Sequence, residues 1–201
     1  MILTTAIFIG RSGCGKGTQA QLLTELLTNR GVRAEDVMNV SSGDLFRQFA
    51  GEGGHTQDRV RDIMNSGKRL PDFLAVRLWA NLFVAKYKPT QHLVIDGMPR
   101  SHAQARMIES ALQFYERDPV DIVHLKVTNE WSIERLAGRK RVDDLGMDKI
   151  KQRLAFFEDD VLEAIDYFRG SPHVRFHEVN GEQSIDAVHK DVAQSMRLLA
   201  Q

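Results

Sequence analysis

The amino-acid sequence predicts an α/β fold, a mostly parallel five-stranded sheet flanked by helices. Three observations carry this prediction. Five short apolar runs, at 6–9, 37–40, 92–95, 122–127 and 174–179, alternate with longer segments of helical periodicity, the pattern of repeated βα units. Several runs are too uniformly apolar to face water on one side, as expected of strands covered on both faces. A glycine-rich stretch joins the first run to the first helical segment, the position of a phosphate-cradling turn.

Taken in order, the first strand at 6–9 leads into a helix beginning near Lys16. Leu23, Leu26 and Leu27 mark its buried face, and Arg30-Gly31 its stop. The second strand, 37–40, is followed by a break in the rhythm. From 41 to 70 the chain is glycine-rich and mixed, with short helical stretches around Leu45 and Val60. Pro71 suits a first helical turn, with Leu74, Leu78 and Leu82 behind it. A strand at 92–95 precedes a helix near Ser101, and a strand at 122–127 precedes one near Asn129. A charged segment between Gly138 and Gly146 separates that helix from another near Asp148. The last strand, 174–179, precedes a helix near Ser184. The two irregular segments are expected to be insertions over one face.

Composition excludes several classes of function. The chain has 201 residues, 42% of them apolar, which suits one domain with a substantial core and argues against disorder. Lys+Arg and Asp+Glu both number 27, so a generally basic nucleic-acid binder is not expected. No window resembles a membrane helix, and 2–9 lacks the basic start and cleavage region of a secretory signal. A soluble, cytoplasmic protein is the expectation. Cys14 stands alone, which removes an intramolecular disulfide or a multi-cysteine zinc site. The basic residues are 18 Arg and 9 Lys, a bias toward the planar fork that suits phosphate and carboxylate.

The motif after the first strand is Gly10-Arg11-Ser12-Gly13-Cys14-Gly15-Lys16-Gly17-Thr18. It fits the phosphate-loop pattern up to Lys16, then places Gly17 where a hydroxyl residue is usual and moves the hydroxyl to Thr18. The physics survives this shift. Glycines let successive amides face an anion, the following helix presents its positive end, and the lysine reaches terminal phosphates.

With Gln19 added, this loop resembles that of the nucleoside monophosphate kinases, the adenylate kinases most closely, Gly17 included. The resemblance continues in Ser41-Ser42-Gly43-Asp44-Leu45-Phe46-Arg47, in Gly67 to Pro71, and in Asp96-Gly97-Met98-Pro99-Arg100. It extends through Glu134-Arg135-Leu136 to Arg141-Val142-Asp143-Asp144, and then to Val179-Asn180-Gly181-Glu182-Gln183-Ser184. It implies a P-loop NTPase-type sheet in a single kinase domain, 1–201. The core would comprise 1–40, 71–136 and 147–201, with a monophosphate-binding insertion at 41–70 and a short lid at 137–146. Only Lys140 separates Arg139 from Arg141, which leaves no room for an inserted lid subdomain.

The resemblance also implies roles. Gly13, Cys14, Gly15, Lys16, Gly17, Thr18, Arg135 and Arg139 would bind ATP, Arg135 lying against its adenine. Ser42, Arg47, Leu70, Gly97, Arg100, Gln104, Arg141 and Arg153 would bind AMP. Lys16, Arg100, Arg139, Arg141 and Arg153 would surround the transferring phosphate as the catalytic set. Thr18 and Asp96, the latter through water, would hold magnesium, and no structural zinc is expected. Gln104 would read the base, though Ser101-x-x-Gln104 is also a helix-starting capping box. The Ser42 hydroxyl favours AMP modestly, with a cap for the short helix beginning near Gly43 as the other reading, and the two roles can coexist. From Arg135 to Arg153 there are seven basic and three acidic residues, then five acidic and none basic from Leu154 to Asp166. Asp143 and Asp144 are read as anchors for the lid arginines on closure.

Three departures from the family pattern stand out. Ser12, preceded by Arg11, replaces the usual proline, which suggests a looser loop. Met98 replaces an aromatic, and Leu145-Gly146-Met147 replace acidic residues after Asp144. Cys14 reads as an inert small filler, with oxidation-sensitive nucleotide binding as the alternative.

The leading expectation is reversible magnesium-dependent transfer from ATP to AMP, giving two ADP, by a monomer. A UMP, CMP or other monophosphate kinase is the nearest alternative enzyme, and a non-catalytic nucleotide-binding module an alternative of another class. A GTP switch is disfavoured by the lack of an Asn-Lys-x-Asp sequence.

Overall fold

The structure is a computed structural model that describes residues 3–138 and 146–198. Five strands, β1 (Thr5–Ile9), β2 (Val37–Ser41), β3 (His92–Asp96), β4 (Val120–Lys126) and β5 (Val174–Asn180), form one sheet. Their order is β2-β3-β1-β4-β5 and every pairing is parallel. Ile7 stands beside Ile95 on one side and Ile122 on the other.

The period of two along each strand divides the core between two faces. Ile7, Ile9, Leu93, Ile95 and Ile122 pack with Trp79, Phe83, Ile108, Leu112, Phe157 and Phe168. Those partners lie on α4 (Asp72–Lys86), α5 (His102–Phe114), α8 (Leu162–Gly170) and the π-helical turn Phe157–Val161 that leads into α8. Ala6, Phe8, Val94, Val123 and Leu125 pack on the opposite face. There they meet Leu23 and Leu27 of α1 (Lys16–Asn29) and Val188 and Val192 of α9 (Ile185–Ser195). Each such fully buried large side chain contributes roughly 1.5–3 kcal/mol, so both faces must be covered for the sheet to persist.

Within residues 41–70, α2 (Ser42–Gly51) and α3 (His55–Asn65) form a small core with the start of α4. Its buried members include Phe46, Phe49, Val60, Leu70 and Leu74. Pro71 lies just outside α4 as its capping residue, with ψ at 143°, and its carbonyl accepts from Leu74 N at 3.1 Å. α6 (Asn129–Ala137) precedes the charged segment, and α7 (Met147–Phe156) follows it. The single helix expected from Asp148 onward is thus α7, the π turn and α8 in succession.

Because all strands run the same way, their C-terminal ends share one edge. The chain leaves β1 toward β2 on one side and leaves β3 toward β4 on the other, which opens a crevice between β1 and β3 where the direction switches.

Candidate active site

The loop after β1 lies at this crevice. Gly10, Gly13 and Gly15 all adopt positive φ. A Cβ on Gly10 would lie 2.6 Å from the Leu125 carbonyl oxygen and 2.9 Å from Cys14 Sγ, so the loop could not pass β4 with any larger residue there. Lys16 Nζ donates to the carbonyls of Gly10 and Arg11, both at 2.8 Å, and lies 3.6 Å from Cys14 Sγ. The lysine therefore folds back over its own loop. Cys14 is buried at 4% exposure, which favours the inert-filler reading.

Gly17, the residue that breaks the generic motif, has a spatial reason. A Cβ there would come within 3.2 Å of Asp96 Oδ2. The missing side chain lets the carboxylate at the end of β3 approach the first turn of α1. Thr18 and Asp96 then line the same cleft of about 590 Å³. Gly13, Gly15, Lys16, Gly17, Ser42, Arg47, Gly97, Arg100, Arg135 and Arg153 line it too. The structure thus brings together most of the residues singled out from the sequence. Cys14 sits behind the lining, and Arg139, Arg141, Asp143 and Asp144 lie outside the described residues.

The cleft is cationic. Burial first, and the charge of Arg153 second, lower the Arg100 pKa to about 10, so it stays protonated at neutral pH. Arg100 Nε donates to the Gly97 carbonyl at 2.8 Å, and its terminal nitrogen donates to Ser42 Oγ at 3.2 Å. Ser42 Oγ in turn donates to the Gly97 carbonyl at 2.7 Å. The alternative reading of Ser42 as a helix cap is corrected here. Ser41 caps α2, its Oγ accepting from Asp44 N at 3.3 Å, while Ser42 is already the first helical residue and holds Arg100. Arg135 lies over the Trp131 ring at 4.6 Å.

Beside the main cleft is a small pocket of about 20 Å³, mostly apolar, whose lining includes Ser42, Leu45, Leu70, Trp79, Met98 and Gln104. Gln104 takes part both in a helix start and in the lining of this pocket. Its backbone nitrogen donates to Ser101 Oγ at 3.2 Å, so Ser101 caps α5. Its side chain also lines this pocket, with Oε1 accepting from Arg100 N at 3.0 Å and Nε2 donating to Asp72 Oδ1 at 2.7 Å.

Two residues escaped the sequence reading. Asp72, in the first turn of α4, was not singled out, and it accepts from Gln104, Ser101 and Arg69. Desolvation pushes its carboxyl up, but those hydrogen bonds and the Arg69 charge together hold it below the usual carboxylate value. Arg11 was read only as a neighbour of the missing proline. It donates to Asn129 Oδ1 at 3.0 Å, to the Val127 carbonyl at 2.9 Å and to Glu158, and lies 4.5 Å from the Phe157 ring centre. The position expected to be slack is therefore tied to two other segments. No sequence signal marks these partners, which lie 116 to 147 positions away.

Among the described residues, no group of three or more His, Cys, Asp or Glu is placed to hold a metal. The oxygen pair of Thr18 and Asp96 suits a hard cation that takes its remaining ligands from water and phosphate. No helix among the described residues is long and apolar enough to cross a membrane.

Comparison with known proteins gives concordant matches. The family model described as adenylate kinase matches residues 8–172. The chain is 31% identical over 186 residues to adenylate kinase 1 of Nostoc sp., covering 92% of this chain and 95% of that protein. It is 28% identical over 185 residues to the adenylate kinase of Corynebacterium urealyticum, covering 90% and 93%. With an adenylate kinase of Prochlorococcus marinus it shares 27% identity over 191 residues, covering 94% and 97%.

Proposed function

The chain belongs to the adenylate kinase family and is an ATP:AMP phosphotransferase, and we propose how its cleft performs that transfer. The observation that carries the proposal is the convergence of the Lys16 loop, Asp96 and the guanidinium groups of Arg47, Arg100 and Arg153 on one cleft. The ATP phosphates lie along the loop, and Lys16 exchanges the carbonyls of Gly10 and Arg11 for phosphate oxygens. Arg47, Arg100 and Arg153 grip the AMP phosphate. One of its oxygens, already deprotonated at neutral pH, attacks the terminal phosphorus of ATP. The bond to the bridging oxygen breaks, and two ADP result without a protein-bound intermediate. Little covalent chemistry falls to the protein, because positioning and dispersed positive charge stabilise a metaphosphate-like transition state.

Thr18 and Asp96 would hold magnesium, Asp96 through water, and the bound ion neutralises charge on the phosphate oxygens of ATP. Arg135 lies against the ATP adenine. Gly13, Cys14, Gly15 and Gly17 supply loop backbone, and Ser42, Leu70, Gly97 and Gln104 surround the AMP base. Arg139 and Arg141 add charge from a lid at 137–146, closing over a core with the monophosphate insertion at 41–70. Bringing such charges together without phosphate is repulsive, so closure depends on bound nucleotide. The enzyme works as a cytoplasmic monomer.

A coupled assay supplying ATP with AMP, UMP, CMP or GMP tests this reading. AMP should turn over fastest, and Lys16→Met should lower kcat by about 10²–10³-fold with the fold retained. Equal rates for all monophosphates would remove the AMP assignment, and no turnover at all would restore the binding-module alternative.

A further inference from the structure

Gln104 is buried at 2% exposure, and its amide meets two partners whose chemistry cannot be reversed. A backbone N–H only donates, so Arg100 N, at 3.0 Å, demands an oxygen. A carboxylate only accepts, so Asp72 Oδ1, at 2.7 Å, demands the NH2 group. Turning the amide over would set donor against donor at one end and oxygen against carboxylate at the other. Asp72 is itself fixed, accepting from Ser101 Oγ at 3.0 Å and from Arg69. Arg69 is held in turn by Asp160 at 2.9 Å.

After these contacts the amide retains one N–H and one oxygen lone pair, in a fixed order beside the small pocket. That order matches an adenine edge, where N6–H donates and the adjacent ring nitrogen accepts. Hypoxanthine reverses both groups on the edge carrying N1, presenting a carbonyl oxygen and an N–H. We propose that Asp72 is a positioning residue that fixes the direction of the Gln104 amide, and thereby sets the preference for AMP over 6-oxopurine monophosphates. This rests on the reading that Gln104 faces the AMP base. Without Asp72, water takes its place. Water donates and accepts equally, so the amide loses one of its two constraints.

The test is to measure kcat/KM for AMP and for IMP in the wild type, Asp72→Ala and Asp72→Asn, with thermal unfolding of each. Asparagine can keep its oxygen toward Gln104 and Arg69 while its NH2 meets Ser101 Oγ, which can accept. Asp72→Ala should lower the AMP:IMP ratio about tenfold, mainly through KM, and Asp72→Asn should keep the ratio near wild type. Asp72→Ser replaces the alanine variant if the latter does not fold. A purely structural role would lower stability and both activities together while leaving the ratio unchanged, which overturns the proposal. If the wild type itself does not prefer AMP over IMP, the base-reading assignment fails, and the proposal fails with it. If Gln104→Ala abolishes that preference but neither Asp72→Ala nor Asp72→Ser alters it, only the role of Asp72 fails.

Discussion

Arg11 shows what a single side chain can hold. Its guanidinium reaches the β4–α6 connection through Val127 and Asn129, and the π turn through Glu158 and Phe157. The glycine-rich loop is thereby tied to two segments distant in sequence. Glu158 is partly exposed, so solvent screening reduces that component, and the part-buried carbonyl contact carries more. Arg11→Ala should destabilise the protein by about 1–3 kcal/mol and raise the KM for ATP more than it lowers kcat. Thermal unfolding and ATP saturation curves check this, and an unchanged melting temperature would show the ties to be idle. Residue identity in the loop, at Arg47, Arg100 and Gln104, was legible because motifs are local strings. Arg11 and Asp72 were not, because their significance lies in partners that folding brings from elsewhere in the chain. Ser41 and Ser42 were confused for a related reason. Adjacent hydroxyls look alike in sequence, and only the start of α2 decides which of them caps it.

At the scale of elements, the turn between α3 and α4 approaches the start of α7 at Gly67. Its φ is +76°, and a Cβ there would lie 3.0 Å from the Lys149 carbonyl oxygen and 3.1 Å from its Cα. Gly67→Ala should therefore cost about 1–3 kcal/mol from backbone conformation alone. It should also lower kcat/KM for AMP, since a displaced α7 carries Arg153 with it. Gly51→Ala, with open space around the position, is the matched control and should leave both quantities near wild type. Steady-state kinetics and denaturant unfolding distinguish the two. Strands and helix starts were readable because periodicity and capping are local. The π turn was not. Ile150 and Leu154 of α7 belong to a small cluster with Leu136, whereas Phe157, Val161, Ile165 and Phe168 belong to the main core. One wider turn rotates the apolar face from the first cluster to the second. A sequence shows only that both stretches are helical and apolar.

At the scale of the whole molecule, stability should depend on pH through His124 in β4. It is 4% exposed, and neither ring nitrogen finds a hydrogen-bond partner among the described residues. Glu178 Oε2 is 3.6 Å away. Burial, the largest influence, lowers the His124 pKa to about 4 from an ordinary 6.5. Between these values the unfolded chain binds the proton more readily than the folded one, so stability falls as pH drops from 6.5 toward 4. The loss reaches roughly 3 kcal/mol if His124 keeps its buried setting. His92 and His189, also lowered by burial, add in the same direction. His124→Phe should flatten the dependence of the urea midpoint on pH across this window, and an unaltered slope would count against the assignment. The balance of 27 against 27 gave no hint of such a site, nor of how the charges are arranged. Arginines gather in the cleft, while Glu158, Asp159, Asp160, Glu163 and Asp166 follow α7. A molecule with no net charge and separated charges still has an electric dipole moment. An approaching nucleotide polyanion feels little beyond about 10 Å at ordinary ionic strength. Inside that distance, the field turns the phosphates toward the arginines before contact. The neutral total thus leaves solubility and long-range attraction modest, while the dipole makes the last step of encounter directional and sensitive to salt.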